Sequence, residues 1–157
     1  MKTTGDEKLN EVVFDVFEKL AFMFGEVADR EEISRAATDY ARVSMAFSGQ
    51  SAKGTLLLAV PADFSAEIAA NVLGVDPDDE LVATQADDAL KEMLNVICGN
   101  LLTAVVGEQP VFDLTVPVVS SLDADGWSSL LHRLDTRVFL VDDNPVLVQF
   151  ICEGFEQ

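Results

Sequence analysis

The sequence has 157 residues, 49% of them apolar, which is enough for one packed core. Acidic residues outnumber basic ones 28 to 10, for a formal charge of −18, so nucleic acid phosphates and anionic membrane surfaces would meet long-range repulsion. The N-terminus lacks an apolar run of signal-peptide type and no stretch has the roughly 18 apolar residues of a spanning helix, so the expected location is the cytoplasm.

Leu9, Val12, Val13, Val16, Phe17, Leu20 and Phe24 recur at helical spacing and Gly25 offers a stop, which predicts an opening amphipathic helix. Its other face holds Glu11, Asp15 and Glu18. Alternation at Val43, Met45 and Phe47, a Gly/Gln/Ser turn and the apolar run Leu56 to Val60 predict a β-hairpin. Pro61 then opens a helix in which Phe64, Ile68 and Val72 share a face and Gly74 can end it. The acidic stretch "VDPDDE" reads as a solvated loop.

Thr84 followed by Asp87 resembles a capping box and predicts the start of a long helix running to about Val106, before Gly107. Three strands follow, Val111 to Val119, Leu134 to Asp142 and Pro145 to Glu153, the last two joined by a turn at Asp142–Pro145. The expected order is α-β-β-α-α-β-β-β. Strands joined by short turns pair antiparallel, so the expected fold class is α+β, a two-layer domain of long helices on a largely antiparallel sheet. One domain is expected over residues 1–157, with 1–7 as a flexible N-terminus.

The long helix carries the polar stretch "DALKEMLN", Asp88 to Asn95. With Asp88 at zero and 100° per residue, Glu92 falls at about 40°, Asn95 at about −20° and Gly99 at about 20°. Leu90, Met93, Leu94, Ile97, Leu101 and Ala104 lie on the opposite side. Such a stripe is ordinarily just a solvated face. Gly99 costs about 1 kcal/mol relative to alanine and leaves room beside Asn95 for another backbone or a partner side chain. Asn100 points about 120° away, toward the edge of the apolar face, where a hydrogen bond to a buried backbone group is expected.

The spacing alters the weight of these readings. Asp88, three residues, Glu92, two residues, Asn95, then twenty-one residues to Pro117 resembles the signature of the CheC/CheX/FliY chemotaxis phosphatases, D or S, x3, E, x2, N, x21, P. The "LKEMLNVICGN" around it is similar to the CheX branch. The resemblance implies the fold of that family and a phosphatase acting on the aspartyl phosphate of a CheY-like response regulator in two-component signalling. Glu92 and Asn95 would be the catalytic pair, with Asp88 one turn earlier and Pro117 shaping an edge or bulge of the following strand. It also implies a homodimer, for which an exposed strand edge is a candidate surface.

Two-site members carry the motif twice. Here the first helix has Glu18 but Phe14 where Asp or Ser is needed and Ala21 where Asn is needed, so one site is expected, as in CheX. Phe14 and Phe22 flank Glu18 away from the main apolar stripe. Either they pack against the long helix or they form a contact patch for a receiver domain.

An amide suits the implied chemistry: it accepts a hydrogen bond from an attacking water through oxygen and donates one to a phosphoryl oxygen through nitrogen. Glu92 on the same face can pair with a lysine of the receiver. No cofactor or metal is expected in this chain, since receiver domains hold their own magnesium. His132 is the only histidine and reads as a surface or strand-edge residue, and Cys98 and Cys152 read as buried free thiols. A nucleophile elbow, a Walker loop and GxGxxG are all missing, which disfavours a self-contained hydrolase. A non-catalytic module of the same fold, binding a receiver or signalling partner without hydrolysis, would use the same surface.

Overall fold

Two β-hairpins form the centre of a seven-stranded antiparallel sheet. The computed structural model describes residues 2–33, 39–50, 52–107 and 111–153, with side chains from Glu7 onward. In chain order the elements are α1 (Lys2–Ala21), β1 (Gly25–Val27), a single 3-10 turn (Arg30–Glu32), β2 (Asp39–Gly49), β3 (Lys53–Pro61), α2 (Ala62–Leu73) and α3 (Glu80–Val105). They continue with β4 (Phe112–Leu114), β5 (Val118–Asp123), α4 (Ala124–Leu131), β6 (Thr136–Val141) and β7 (Asn144–Glu153). Strands run β1-β6-β7-β3-β2-β4 across the sheet, and β5 also pairs with β2.

This order contains an internal repeat. Each half supplies a helix, a short strand and a hairpin, and the short strand crosses to the other half's hairpin: β1 pairs with β6, and β4 and β5 pair with β2. The helices α1 and α3 are therefore counterparts, and they pack against each other. Lys8 Nζ donates to the Ala104 carbonyl at 2.9 Å, so the start of α1 meets the end of α3 and the two run antiparallel.

Strand alternation decides which side each residue serves. Val43, Met45 and Phe47 of β2, Leu56 and Leu58 of β3, and Val146 and Val148 of β7 face one way, into the main core under α1, α2 and α3. Their neighbours Tyr40, Ala59, Val138 and Leu147 face the other way and pack a smaller core under α4. There the Trp127 ring stacks on Tyr40 with centroids 4.1 Å apart.

The α+β class, the helical layer and the antiparallel sheet agree with the sequence expectation; several boundaries differ. The long helix starts at Glu80, not Thr84: Asp79 caps it by accepting the Leu81 N–H at 2.9 Å, and the Thr84 hydroxyl bonds back to the Glu80 and Leu81 carbonyls inside the helix. The loop read as merely solvated thus contains the cap. Residues 2–7, expected as a flexible N-terminus, fall within the span of α1. Helix α4 and strand β1 are additions to the expected order, and Ser51 of the expected hairpin turn lies outside the described residues.

The expected strand Val111–Val119 is divided into β4 and β5. Ser44 pairs with Val118 and Phe47 with Leu114, so Thr115, Val116 and Pro117 stand against Met45 and Ala46, three residues against two. This is a β-bulge. Thr115 holds it with both groups: its N–H donates to the Ala46 carbonyl and its hydroxyl accepts the Ala46 N–H, each at 2.9 Å. Pro117, which has no N–H for a ladder, is buried at its end.

Candidate functional site

Helix α3 separates its faces as its sequence period requires. Leu90, Met93, Leu94, Ile97 and Leu101 are buried, and Asp88, Glu92, Asn95 and Gly99 are exposed along the opposite face. A Cβ built on Gly99 meets nothing within 4 Å, so the surface beside Asn95 is open. The stripe stands on the outside of the helical layer. Pro117 is on the strand segment after α3, buried at the bulge, and does not join the stripe.

Asn100 departs from its expected role. It is exposed, and among the described residues no hydrogen bond holds its amide.

On α1, Glu18 is exposed, as its counterpart Glu92 is on α3. Ala21, the counterpart of Asn95, is 0% exposed. That difference follows from how each helix ends. Phe22 adopts φ +58°, its N–H bonding to the Glu18 carbonyl and the Met23 N–H to the Phe17 carbonyl, which closes α1 at Ala21 and turns Met23 into the core. Asn71 of α2 donates to the Ala21 carbonyl at 2.7 Å and seals the end. An amide at position 21 would be buried there and could not meet a water.

Phe14 and Phe22 separate. Phe14 is half-buried, its ring edge-on to Phe139 of β6 with centroids 5.5 Å apart, so it packs on the sheet. Phe22 is 70% exposed. Phe24, expected on the apolar stripe of the first helix, lies beyond the helix end and is 66% exposed, since the left-handed turn at Phe22 changes the phase of everything after it.

Two clefts are formed by other residues. One of about 410 Å³ sits where the start of α2 and Asp87 of α3 meet β2 and β5, and the motif side chains do not line it. Cys98 is buried and Cys152 half-buried, both free; burial pushes each thiol up to about 11, with Glu153 adding to the shift at Cys152. Neither is primed as a nucleophile. His132 ends α4, exposed, its Nδ1 2.8 Å from the Ser128 carbonyl, so it is a helix-end residue and not a strand-edge one. Among the described residues no three His, Cys, Asp or Glu side chains lie together so as to hold a metal ion, and no helix is long and apolar enough to cross a membrane.

Such an arrangement presents an exposed carboxylate and an exposed amide to whatever approaches α3, on a face that lines neither of these clefts. Enzymes acting on small molecules ordinarily bind them in a concavity. An exposed Glu–Asn pair on a helix can instead enter a concavity in another protein.

No curated protein matches the sequence. Among solved structures, the chain is similar to chemotaxis protein CheX from Vibrio vulnificus, with 16% identity, 98% of this chain and 99% of that one covered, and a TM-score of 0.70. It is also similar to a chain of the CheX–CheY–BeF3–Mg complex from Borrelia burgdorferi, with 16% identity, 95% and 97% covered, and a TM-score of 0.63. FliY from Thermotoga maritima shares the fold more distantly, with 13% identity, 94% and 89% covered, and a TM-score of 0.55. A family model described as chemotaxis phosphatase CheX matches residues 42–124, more than half of the chain, and that span includes Asp88, Glu92, Asn95 and Pro117. By that match, over a fold held in common along nearly its whole length, the chain belongs to the CheX family.

Proposed function

We propose that the protein is a phosphatase for the aspartyl phosphate of a CheY-like response regulator, with Asn95 and Glu92 entering the partner's active site. The observation that carries this reading is the exposure of both side chains on one face of α3, within the span matched by the CheX family model. The Borrelia relative, solved together with CheY, supports the choice of partner.

Hydrolysis forms a bond from the water oxygen to phosphorus and breaks the bond from phosphorus to the aspartyl oxygen, which leaves as a carboxylate. Positioning and charge stabilisation supply most of the catalysis in such a transfer. Asn95 accepts a hydrogen bond from the attacking water through its side-chain oxygen and donates one from its amide to a phosphoryl oxygen. A carboxylate there would repel the phosphoryl group. Glu92, one turn away on the same stripe, pairs with a lysine of the receiver and fixes the register in which Asn95 arrives. This chain needs no metal for these roles; magnesium belongs to the receiver. Asp88 opens the stripe, Gly99 leaves space for the partner, and Pro117 shapes the bulge.

The test is the decay of a phosphorylated CheY-like receiver, with magnesium, in the presence and absence of the protein. Faster decay supports the phosphatase; binding without faster decay would replace it with a docking module. Glu18→Ala should change the rate less than about twofold, as expected of a surface residue outside the site. A large loss in that variant would put α1 in the chemistry.

The homodimer implied by the family belongs to the same proposal. The outer edge of β4 and β5 has no partner strand among the described residues and exposes Val111, Val116 and Val118. An edge of this kind pairs readily with another chain. Sedimentation equilibrium should give twice the monomer mass, and Val116→Lys should return the monomer.

A further inference from the structure

At the end of α1, Phe22 has a backbone conformation that suits glycine or asparagine and disfavours a bulky side chain, φ +58°, yet the residue is 70% exposed. The ring adds little to this chain's core. Burying Met23 requires the turn, but the turn does not require phenylalanine.

The antiparallel packing of α1 on α3 brings that end of α1 to the level of the motif. Counting from the Lys8–Ala104 contact at about 1.5 Å per residue, Phe22 comes level with the turn of α3 between Leu90 and Glu92. Packed helices lie about 8–10 Å apart. A protein docking on Glu92 and Asn95 over a typical footprint of about 800 Å² therefore reaches Phe22. Charge narrows the occupant further. Asp88 and Glu92 are exposed on α3 and exposed Glu26 follows Phe22 in the chain, so the matching surface is an apolar patch bordered by lysine or arginine.

We infer that Phe22 is a docking anchor for the receiver domain, holding it while Asn95 occupies its active site. This rests on the phosphatase reading given above. An exposed aromatic side chain that becomes buried at the centre of an interface commonly carries a large share of the affinity.

Phe22→Asn tests it, because asparagine tolerates the left-handed conformation. Phe22→Gly is the second variant. With a phosphorylated receiver as substrate, KM should rise roughly tenfold and kcat at saturating receiver should be retained. The melting temperature of both variants should equal or exceed that of the wild type. Binding of the receiver charged with beryllofluoride and magnesium should weaken by the same factor. If the wild type accelerates decay and both variants keep its KM, the docking role of Phe22 is overturned and the phosphatase stands. A loss confined to kcat overturns it too. A wild type that neither binds the receiver nor accelerates its decay overturns both readings together.

Discussion

Asn95→Ala is expected to slow receiver dephosphorylation by about 100-fold or more while leaving the melting temperature unchanged or slightly raised. The two halves of that result have separate causes. Asn95 is exposed on α3 with Gly99 one turn later, so truncating it opens no cavity, and alanine is the better helix former. The rate should fall because the proposal gives the amide two tasks, orienting the water and stabilising a phosphoryl oxygen. Loss of a single preorganised donor alone is typically worth about 10²–10³ in rate. Asn95→Asp separates these tasks: it keeps an acceptor for the water, removes the donor and adds a repelling charge, so it should be at least as slow as alanine. A folded Asn95→Ala variant with wild-type turnover would remove the assignment.

Most of the helical layer and the central hairpins were legible in the sequence because one rule governs each. The 3.6-residue period of α3 predicted its buried Leu90, Met93, Leu94, Ile97 and Leu101 and its exposed Asp88, Glu92, Asn95 and Gly99. The two-residue period of Val43, Met45 and Phe47 likewise predicted which side of β2 meets the helices. What escaped depends on partners distant in sequence. Strand β1 is three residues long and takes its identity from pairing with Val141 to Phe139 of β6, more than a hundred residues on. The bulge at Thr115–Pro117 is defined only against β2, although Pro117 hinted at it.

Helix α4 had a local signal that competed with a stronger one. Asp123 caps it by accepting the Gly126 N–H at 2.8 Å, and Trp127, Leu130 and Leu131 are buried at helical spacing. Its eight residues are short beside the strand patterns around them. For the candidate site, spacing placed the motif residues on one face, and it also found the missing Asn on α1. It could not show that Ala21 is sealed in the core or that Phe22 and Phe24 emerge from it. Both facts follow from one left-handed residue at the helix end, and a Phe there gives no warning in sequence.

The same added methyl group should act in opposite directions at two glycines. At Gly54, in β3, a Cβ would overlap the carbonyl oxygen of Ile151 on β7 and come within 2.8 Å of Phe47 Cζ. Neither neighbour yields easily. The Ile151 carbonyl belongs to the β3–β7 pairing, and the Phe47 ring is held between Phe150, at 5.8 Å, and Phe112, at 5.9 Å. Gly54→Ala must therefore push the central strands β3 and β7 apart or displace a buried aromatic group, at a cost of about 3 kcal/mol, toward the upper end for overpacking. In a chain of this size that is a fall of roughly 10 °C in melting temperature. Gly99, on the exposed face of α3, has nothing within 4 Å of its Cβ position. Gly99→Ala replaces a poor helix former with the best one and should gain about 1 kcal/mol. Thermal unfolding of the two variants beside the wild type measures both. A Gly54→Ala melt at or above that of the wild type would mean that β3 and β7 do not approach each other as closely as the structure has them.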